Sequence, residues 1–229
     1  MVRVPDAAAP RVLIVDYGVG HLYSVENACR QVGLRAEISG IPHDLADADG
    51  AVLPGIGAFG DAVATLRRLD FIEPLRDLVA SGKPVMGVCL GMQLLMTESY
   101  EFGPHKGLGV IEGTVEHLGR PMDHERALKV PHVGWTRVDR AGRSWAGTAL
   151  SGIPDGSYMY FVHSYRVLPA DPGVVLSEAT YGDVTFCSSV QTGAVFGCQF
   201  HPERSTRLGL QVYRNFRYAV AETVPPISV

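Results

Sequence analysis

Lysine is scarce in this chain. Lys83, Lys106 and Lys129 are the only three among 20 basic residues, set against 24 acidic ones for a net charge of −4. No basic cluster forms, and phosphate neutralisation dominates nucleic-acid affinity, so no nucleic-acid partner is expected. Long apolar runs are missing too. None approaches the roughly 18 residues of a membrane span, so no membrane association is expected. The four cysteines, Cys29, Cys89, Cys187 and Cys198, lie far apart and include no CxxC pair. That argues against a zinc site of that pattern. The first ten residues lack the apolar core of a signal peptide, so a cytoplasmic location and free thiols are expected. Gly18-Val19-Gly20 has Tyr23 where a dinucleotide-binding loop needs its third glycine, so that cofactor is rejected. No cofactor or metal is expected.

What remains is an ordinary globule of 229 residues, 46% hydrophobic and 19% charged. We expect one domain over residues 11–222, with residues 1–10 and 223–229 as flexible ends. Short β-branched runs alternate with amphipathic stretches. Val12–Tyr17, Leu34–Ile38, Ala51–Leu53 and Pro84–Val88 read as strands. Leu22–Val32 places Leu22, Val25, Ala28, Cys29 and Val32 on one helical face, with Gly33 as a stop. Phe59–Leu69, Phe71–Val79, Leu90–Met96 and Arg207–Ala221 read as further helices. From Gly109 to Phe200 short apolar runs are broken by Gly, Pro and Asp, which suggests antiparallel or mixed strands. The fold class is therefore α/β: one domain, a central mostly parallel sheet flanked by helices, and additional mixed or antiparallel strands.

The densest chemistry lies at Gly87-Val88-Cys89-Leu90-Gly91, a G-x-C-x-G between strand and helix. This is the spacing of a nucleophile elbow with Cys in place of Ser. A sharp turn holds the thiol at the top of the sheet, and the glycines let strand and helix pass closely. The helix N-terminus facing the sulfur favours thiolate, the reactive form. A lone Cys in a strand is usually structural, and Cys29, Cys187 and Cys198 keep that reading. Cys89 wants a base. His201 stands at a strand end in Gln199-Phe200-His201-Pro202-Glu203, and Pro202 favours extended backbone at His201. Glu203 at i+2 then shares its face and can orient the imidazole. Pro54-Gly55-Ile56-Gly57 follows the strand Ala51–Leu53, at the same sheet edge as Cys89, and its glycines can turn N–H groups toward an oxyanion.

Together, Gly87-Val88-Cys89-Leu90-Gly91-Met92-Gln93 and Gln199-Phe200-His201-Pro202-Glu203 resemble the class I (triad) glutamine amidotransferases. Four further motifs are similar to the glutaminase subunits of imidazole glycerol phosphate synthases. They are Asp16-Tyr17-Gly18-Val19-Gly20, Pro54-Gly55-Ile56-Gly57-Ala58-Phe59, Pro131-His132-Val133-Gly134-Trp135 and Tyr160-Phe161-Val162-His163-Ser164-Tyr165. The resemblance spans residues 12 to about 217. It implies a flavodoxin-like fold and a glutaminase in which Cys89 attacks the glutamine amide while His201, oriented by Glu203, moves protons. It implies an oxyanion strand at Gly55, Ile56 and Gly57, and glutamine-site residues Leu90, Gln93, Glu101 and Ser164. The implied partner is a (β/α)8-barrel cyclase subunit in a heterodimer. It receives the ammonia and makes imidazole glycerol phosphate and aminoimidazole carboxamide ribonucleotide in histidine biosynthesis. Pro131, His132, Trp135 and Tyr160 would face that partner, with Trp135 exposed on a restricted loop.

His21, Thr136 and Arg204 depart from the family's usual Asn, Asn and Lys, all near the implied interface. Glu101-Phe102-Gly103-Pro104-His105-Lys106-Gly107-Leu108-Gly109 also resembles paralogous glutaminases that supply ammonia to sugar amidation in surface polysaccharide synthesis. The elbow alone also permits a stand-alone cysteine hydrolase.

Overall fold

β1 (Arg11–Val15) is apolar on both faces because it runs through the middle of the molecule. Val12 and Ile14 join one buried cluster, and Leu13 and Val15 join another on the opposite face. A computed structural model describes residues 9–223, so of the ends expected to be flexible, 1–10 and 223–229, residues 1–8 and 224–229 lie outside the described residues. The first half alternates strand and helix as the periodicity predicts. β1 is followed by α1 (Leu22–Gln31), β2 (Arg35–Ser39), β3 (Gly50–Leu53), α2 (Phe59–Arg68), α3 (Ile72–Ala80), β4 (Val85–Val88) and α4 (Leu90–Leu94).

The second half is mostly strand, with α5 (Thr206–Thr223) at its end. β5 (Met96–Ser99), β6 (His105–Lys106) and β7 (Ile111–His117) precede the short hairpin of β8 (Met122–Asp123) and β9 (Arg126–Ala127). β10 (His132–Arg140), β11 (Ser157–His163), β12 (Tyr165–Pro169), β13 (Val175–Tyr181), β14 (Val184–Thr192) and β15 (Val195–Cys198) follow. A nine-stranded sheet runs β11-β10-β13-β14-β15-β4-β3-β1-β2. Its β15-β4-β3-β1-β2 portion is parallel, with the strand order of the flavodoxin-like arrangement. The remaining pairs, out to the edge strand β11, are antiparallel. A second, four-stranded sheet is ordered β12-β7-β5-β6. Buried residues of α1 and α5 cover one face of the large sheet, and those of α2 and α3 cover the other.

Two local expectations change. The helix read over Leu90–Met96 stops at Leu94, and Met96 begins β5, where it pairs with Ile111. Buried strand pairing outweighs the helical preference of that apolar run. Trp135 sits in the middle of β10 rather than on a loop. Open α/β sheets bind ligands beyond the carboxyl ends of their strands. The loops after β1, β3, β4 and β15 all emerge at that edge, and they carry Asp16–Gly20, Pro54–Gly57, Cys89 and His201.

Candidate active site

β4 delivers Cys89 to a sharp turn at φ 54°, ψ −108°, a strained conformation for a residue with a side chain. The turn is possible because two glycines remove side chains from it. A Cβ on Gly87 would lie 2.7 Å from the Gly91 carbonyl oxygen, and one on Gly91 would collide with the Leu53 carbonyl. The Cys89 N–H donates to the Cys198 carbonyl at 2.7 Å, which ties the elbow to the strand that leads to His201. Leu90 opens α4, so its N–H has no acceptor within the helix.

His201 and Glu203 meet as expected, but by a different backbone path. His201 itself is extended (φ −100°, ψ 95°), in line with the proline that follows. The chain then turns into a 3-10 helix at Pro202–Arg204, because Pro202 suits a first helical turn. Glu203 reaches back so that its Oε1 lies 2.8 Å from His201 Nδ1, with the two side chains 1% and 4% exposed. His201 Nε2 and Glu203 Oε2 make no other hydrogen bond among the described residues. Burial alone would push the imidazole down. The Cys89 sulfur and the Glu203 carboxylate beside it outweigh that and push it up to about 10.

A cavity of about 210 Å³ opens over the sulfur. Ile56, Gly57, Leu90, Gln93, Glu101 and Ser164 line it, so six of the seven expected glutamine-site residues converge there. Gly55 lies just behind, buried against the Tyr17 hydroxyl and Leu90. Ile56 and Gly57 are exposed, Gly57 has φ 103°, and no hydrogen bond engages the N–H groups of residues 55–57 among the described residues. Two side chains turn their polar groups inward. The Glu101 carboxylate accepts the Phe59 N–H at the start of α2, whose N-cap, Ala58, cannot do so. Gln93 Nε2 donates to the Tyr165 carbonyl at 3.2 Å and to Gln199 Oε1 at 3.1 Å.

Of the residues expected at a partner surface, Trp135 is 48% exposed and stacks edge-on with Tyr160 at 5.8 Å. The Arg204 guanidinium lies over Tyr160 at 4.6 Å. Pro131 is exposed and also lines the cavity. His132 differs: it is buried, stacked on Tyr181 and Phe161. Its position in the β10 pleat turns it away from the face that carries Trp135.

Several contributors carried no role in the sequence reading. The Tyr17 hydroxyl donates to the Pro54 carbonyl at 2.6 Å and fixes the loop that follows β3. Gln199 Nε2 contacts the Cys89 sulfur, which in turn faces the Val162 carbonyl, both at 3.6 Å. Ser205 bridges His201 and the edge strand β11. Its hydroxyl donates to the His201 carbonyl at 2.7 Å and accepts the Tyr160 N–H at 3.0 Å, while the His201 N–H donates to the Tyr160 carbonyl at 2.8 Å. Gln199 and Tyr165 are the end residues of two of the quoted motifs, but contacts between distant strands give no local signal.

No cluster of three or more His, Cys, Asp or Glu side chains among the described residues could hold a metal ion. No helix among them is long and apolar enough to cross a membrane. Residues 13–220 match the family profile described as glutamine amidotransferase class-I. Imidazole glycerol phosphate synthase subunit HisH of Rhodopirellula baltica is 44% identical over 211 residues, covering 92% of this chain and 98% of that protein. The subunit of the same name from Aquifex aeolicus is 42% identical over 208 residues, covering 90% and 96%. Among solved structures, that of PurLQS from Thermotoga maritima superposes with a TM-score of 0.69 at 19% identity, covering 91% and 97% of the two chains. The glutaminase domain of Trypanosoma brucei CTPS gives 0.64 at 17%, covering 93% and 94%. At those identities the superpositions speak to the fold.

Proposed function

This chain belongs to the class-I glutamine amidotransferase family, and on that footing we propose that it is the glutaminase subunit of an imidazole glycerol phosphate synthase. Glutamine enters the cavity over Cys89. The sulfur attacks the side-chain amide carbon while His201 Nε2 holds the proton of the Cys–His pair and Glu203 holds the ring from the other side. The Leu90 N–H and an N–H of the Gly55–Gly57 loop receive the developing oxyanion. The C–N bond breaks as His201 protonates the nitrogen, and ammonia leaves. His201 then activates water, which hydrolyses the thioester and releases glutamate. Leu90, Gln93, Glu101 and Ser164 shape the glutamine pocket. The observation that carries this reading is the strained Cys89 elbow beside a buried His201–Glu203 pair.

The partner is a cyclase subunit that takes the ammonia to make imidazole glycerol phosphate in histidine biosynthesis. It docks on the exposed face of β10 and β11. There Val133 pairs with Val162, Trp135 with Tyr160 and Arg137 with Tyr158, and Arg204 lies beside them. Exposed Trp, Tyr and Arg are the residues that anchor interfaces. Four unpaired cysteines suit the reducing cytoplasm in which we place the complex. The test is glutamine hydrolysis with and without the cyclase of the same cell and its nucleotide ligand. Activity should be low alone and rise strongly in the ligand-bound complex, and Cys89→Ala should abolish it. Absence of stimulation by the cyclase would overturn the assignment.

A further inference from the structure

Two buried histidines take no part in that chemistry. His132 on β10 and His163 on β11 face each other across antiparallel strands, with His132 Nδ1 3.2 Å from His163 Nε2. His132 Nε2 lies 2.8 Å from Thr136 Oγ1, and His163 Nδ1 lies 2.9 Å from the Tyr165 carbonyl. A carbonyl can only accept, and this assigns every proton in the row. His163 donates from Nδ1, so its Nε2 accepts from His132 Nδ1. His132 Nε2 is then bare and accepts the Thr136 hydroxyl. The same Tyr165 carbonyl receives Gln93 Nε2, Gln93 Nε2 also donates to Gln199 Oε1, and Gln199 Nε2 contacts the Cys89 sulfur. A continuous hydrogen-bonded row thus runs from Thr136, next to the exposed Trp135, to the sulfur.

We infer that His132 and His163 are positioning residues for the Cys89 sulfur: as a neutral pair with one proton order they hold the Tyr165 carbonyl, and through it Gln93 and the Gln199 amide that contacts the sulfur. This rests on the reading of Cys89 as nucleophile. His163 lines the cavity, yet both its nitrogens are occupied within the row, so it offers glutamine no polar atom. Aromatic packing keeps the pair in place, with the Tyr181 ring stacked on His132 at 4.1 Å and the Phe186 ring tilted against His163 at 4.9 Å. Burial pushes His132 down to about 4 and His163 down to about 3, so both stay neutral. A proton on His163 would set two N–H groups against each other.

The mildest test removes the first donor. Thr136→Val keeps the shape of the side chain and deprives His132 Nε2 of its hydroxyl. In the complex with cyclase and nucleotide ligand, kcat for glutamine should fall about tenfold with KM within about twofold, and Thr136→Ser should restore it. In the free chain, iodoacetamide should alkylate Cys89 at a rate changed by a similar factor in Thr136→Val, with an unaltered urea midpoint. His163→Phe should lose more, and His163→Asn, which keeps a donor for the Tyr165 carbonyl, should recover part of the loss. Wild-type kcat and wild-type Cys89 alkylation in both Thr136→Val and His163→Asn would overturn the inference. So would a loss that follows the urea midpoint and is not rescued by Ser. A wild-type complex without glutaminase activity would instead overturn the functional reading, and the alkylation comparison would still decide the positioning role.

Discussion

Cys89 is set apart from the other three thiols by backbone and surroundings, not by burial. It is 6% exposed and Cys187 is 8% exposed, yet only Cys89 has positive φ and faces a cavity. Burial pushes the thiols of Cys29, Cys187 and Cys198 well up, which keeps them protonated and inert. At the base, His201 stays charged to high pH only because a sulfur and a carboxylate oppose the cost of its burial. Glu203→Gln removes one of these and leaves an amide in its place. The His201 pKa should fall, visible in the NMR titration of its ring, and stimulated kcat should drop at least about a hundredfold. An unchanged titration would show that Glu203 does not set the charge of the imidazole.

At the scale of elements, the strand-turn-helix of β4 and α4 depends on backbone passing backbone. Gly91→Ala puts a methyl into the Leu53 carbonyl and should destabilise the chain by about 1–3 kcal/mol, read as a lower urea midpoint. The β10–β11 pair makes the opposite prediction. Trp135→Ala should leave the free chain's midpoint unchanged and weaken cyclase affinity tenfold or more, measured by calorimetry. Those two cases also mark what a sequence can disclose. The elbow was legible because strand, glycines, cysteine and helix are contiguous and each obeys a local rule. The helix after it was read two residues too long, since the pairing of Met96 with Ile111 is invisible locally. His201 and Glu203 were paired correctly by adjacency, although the extended backbone assumed for Glu203 is a 3-10 turn. The family resemblance of Pro131–Trp135 implies a partner-facing His132, and nothing local in that motif shows its burial. The register that buries it against His163 joins residues 31 positions apart.

The whole molecule couples these parts through one sheet. Its parallel half presents the loops that carry Cys89 and His201, and its antiparallel half carries the edge proposed to face a partner, whose Tyr160 is hydrogen-bonded to His201 and Ser205. The parallel half could be read from alternation alone, whereas the order of the later strands is set by long-range pairing. Stability should carry the imprint of the buried histidines. His132 and His163 are pushed down, so the unfolded chain binds their protons first and stability falls as pH drops from about 6.5 toward 4 and 3. His201 is pushed up, so its contribution is complete below about 6.5 and is lost as pH rises toward about 10. Urea midpoints should therefore peak near pH 6.5, and a midpoint flat from pH 4 to 9 would contradict the protonation states of these three histidines. The most direct test of the site itself is intact-mass and peptide mass spectrometry after brief exposure of the native chain to a glutamine-shaped electrophile near neutral pH. A single adduct is expected, on Cys89, and free glutamine should suppress it. Equal labelling of Cys29, Cys187 and Cys198, or an unlabelled Cys89, would contradict that expectation.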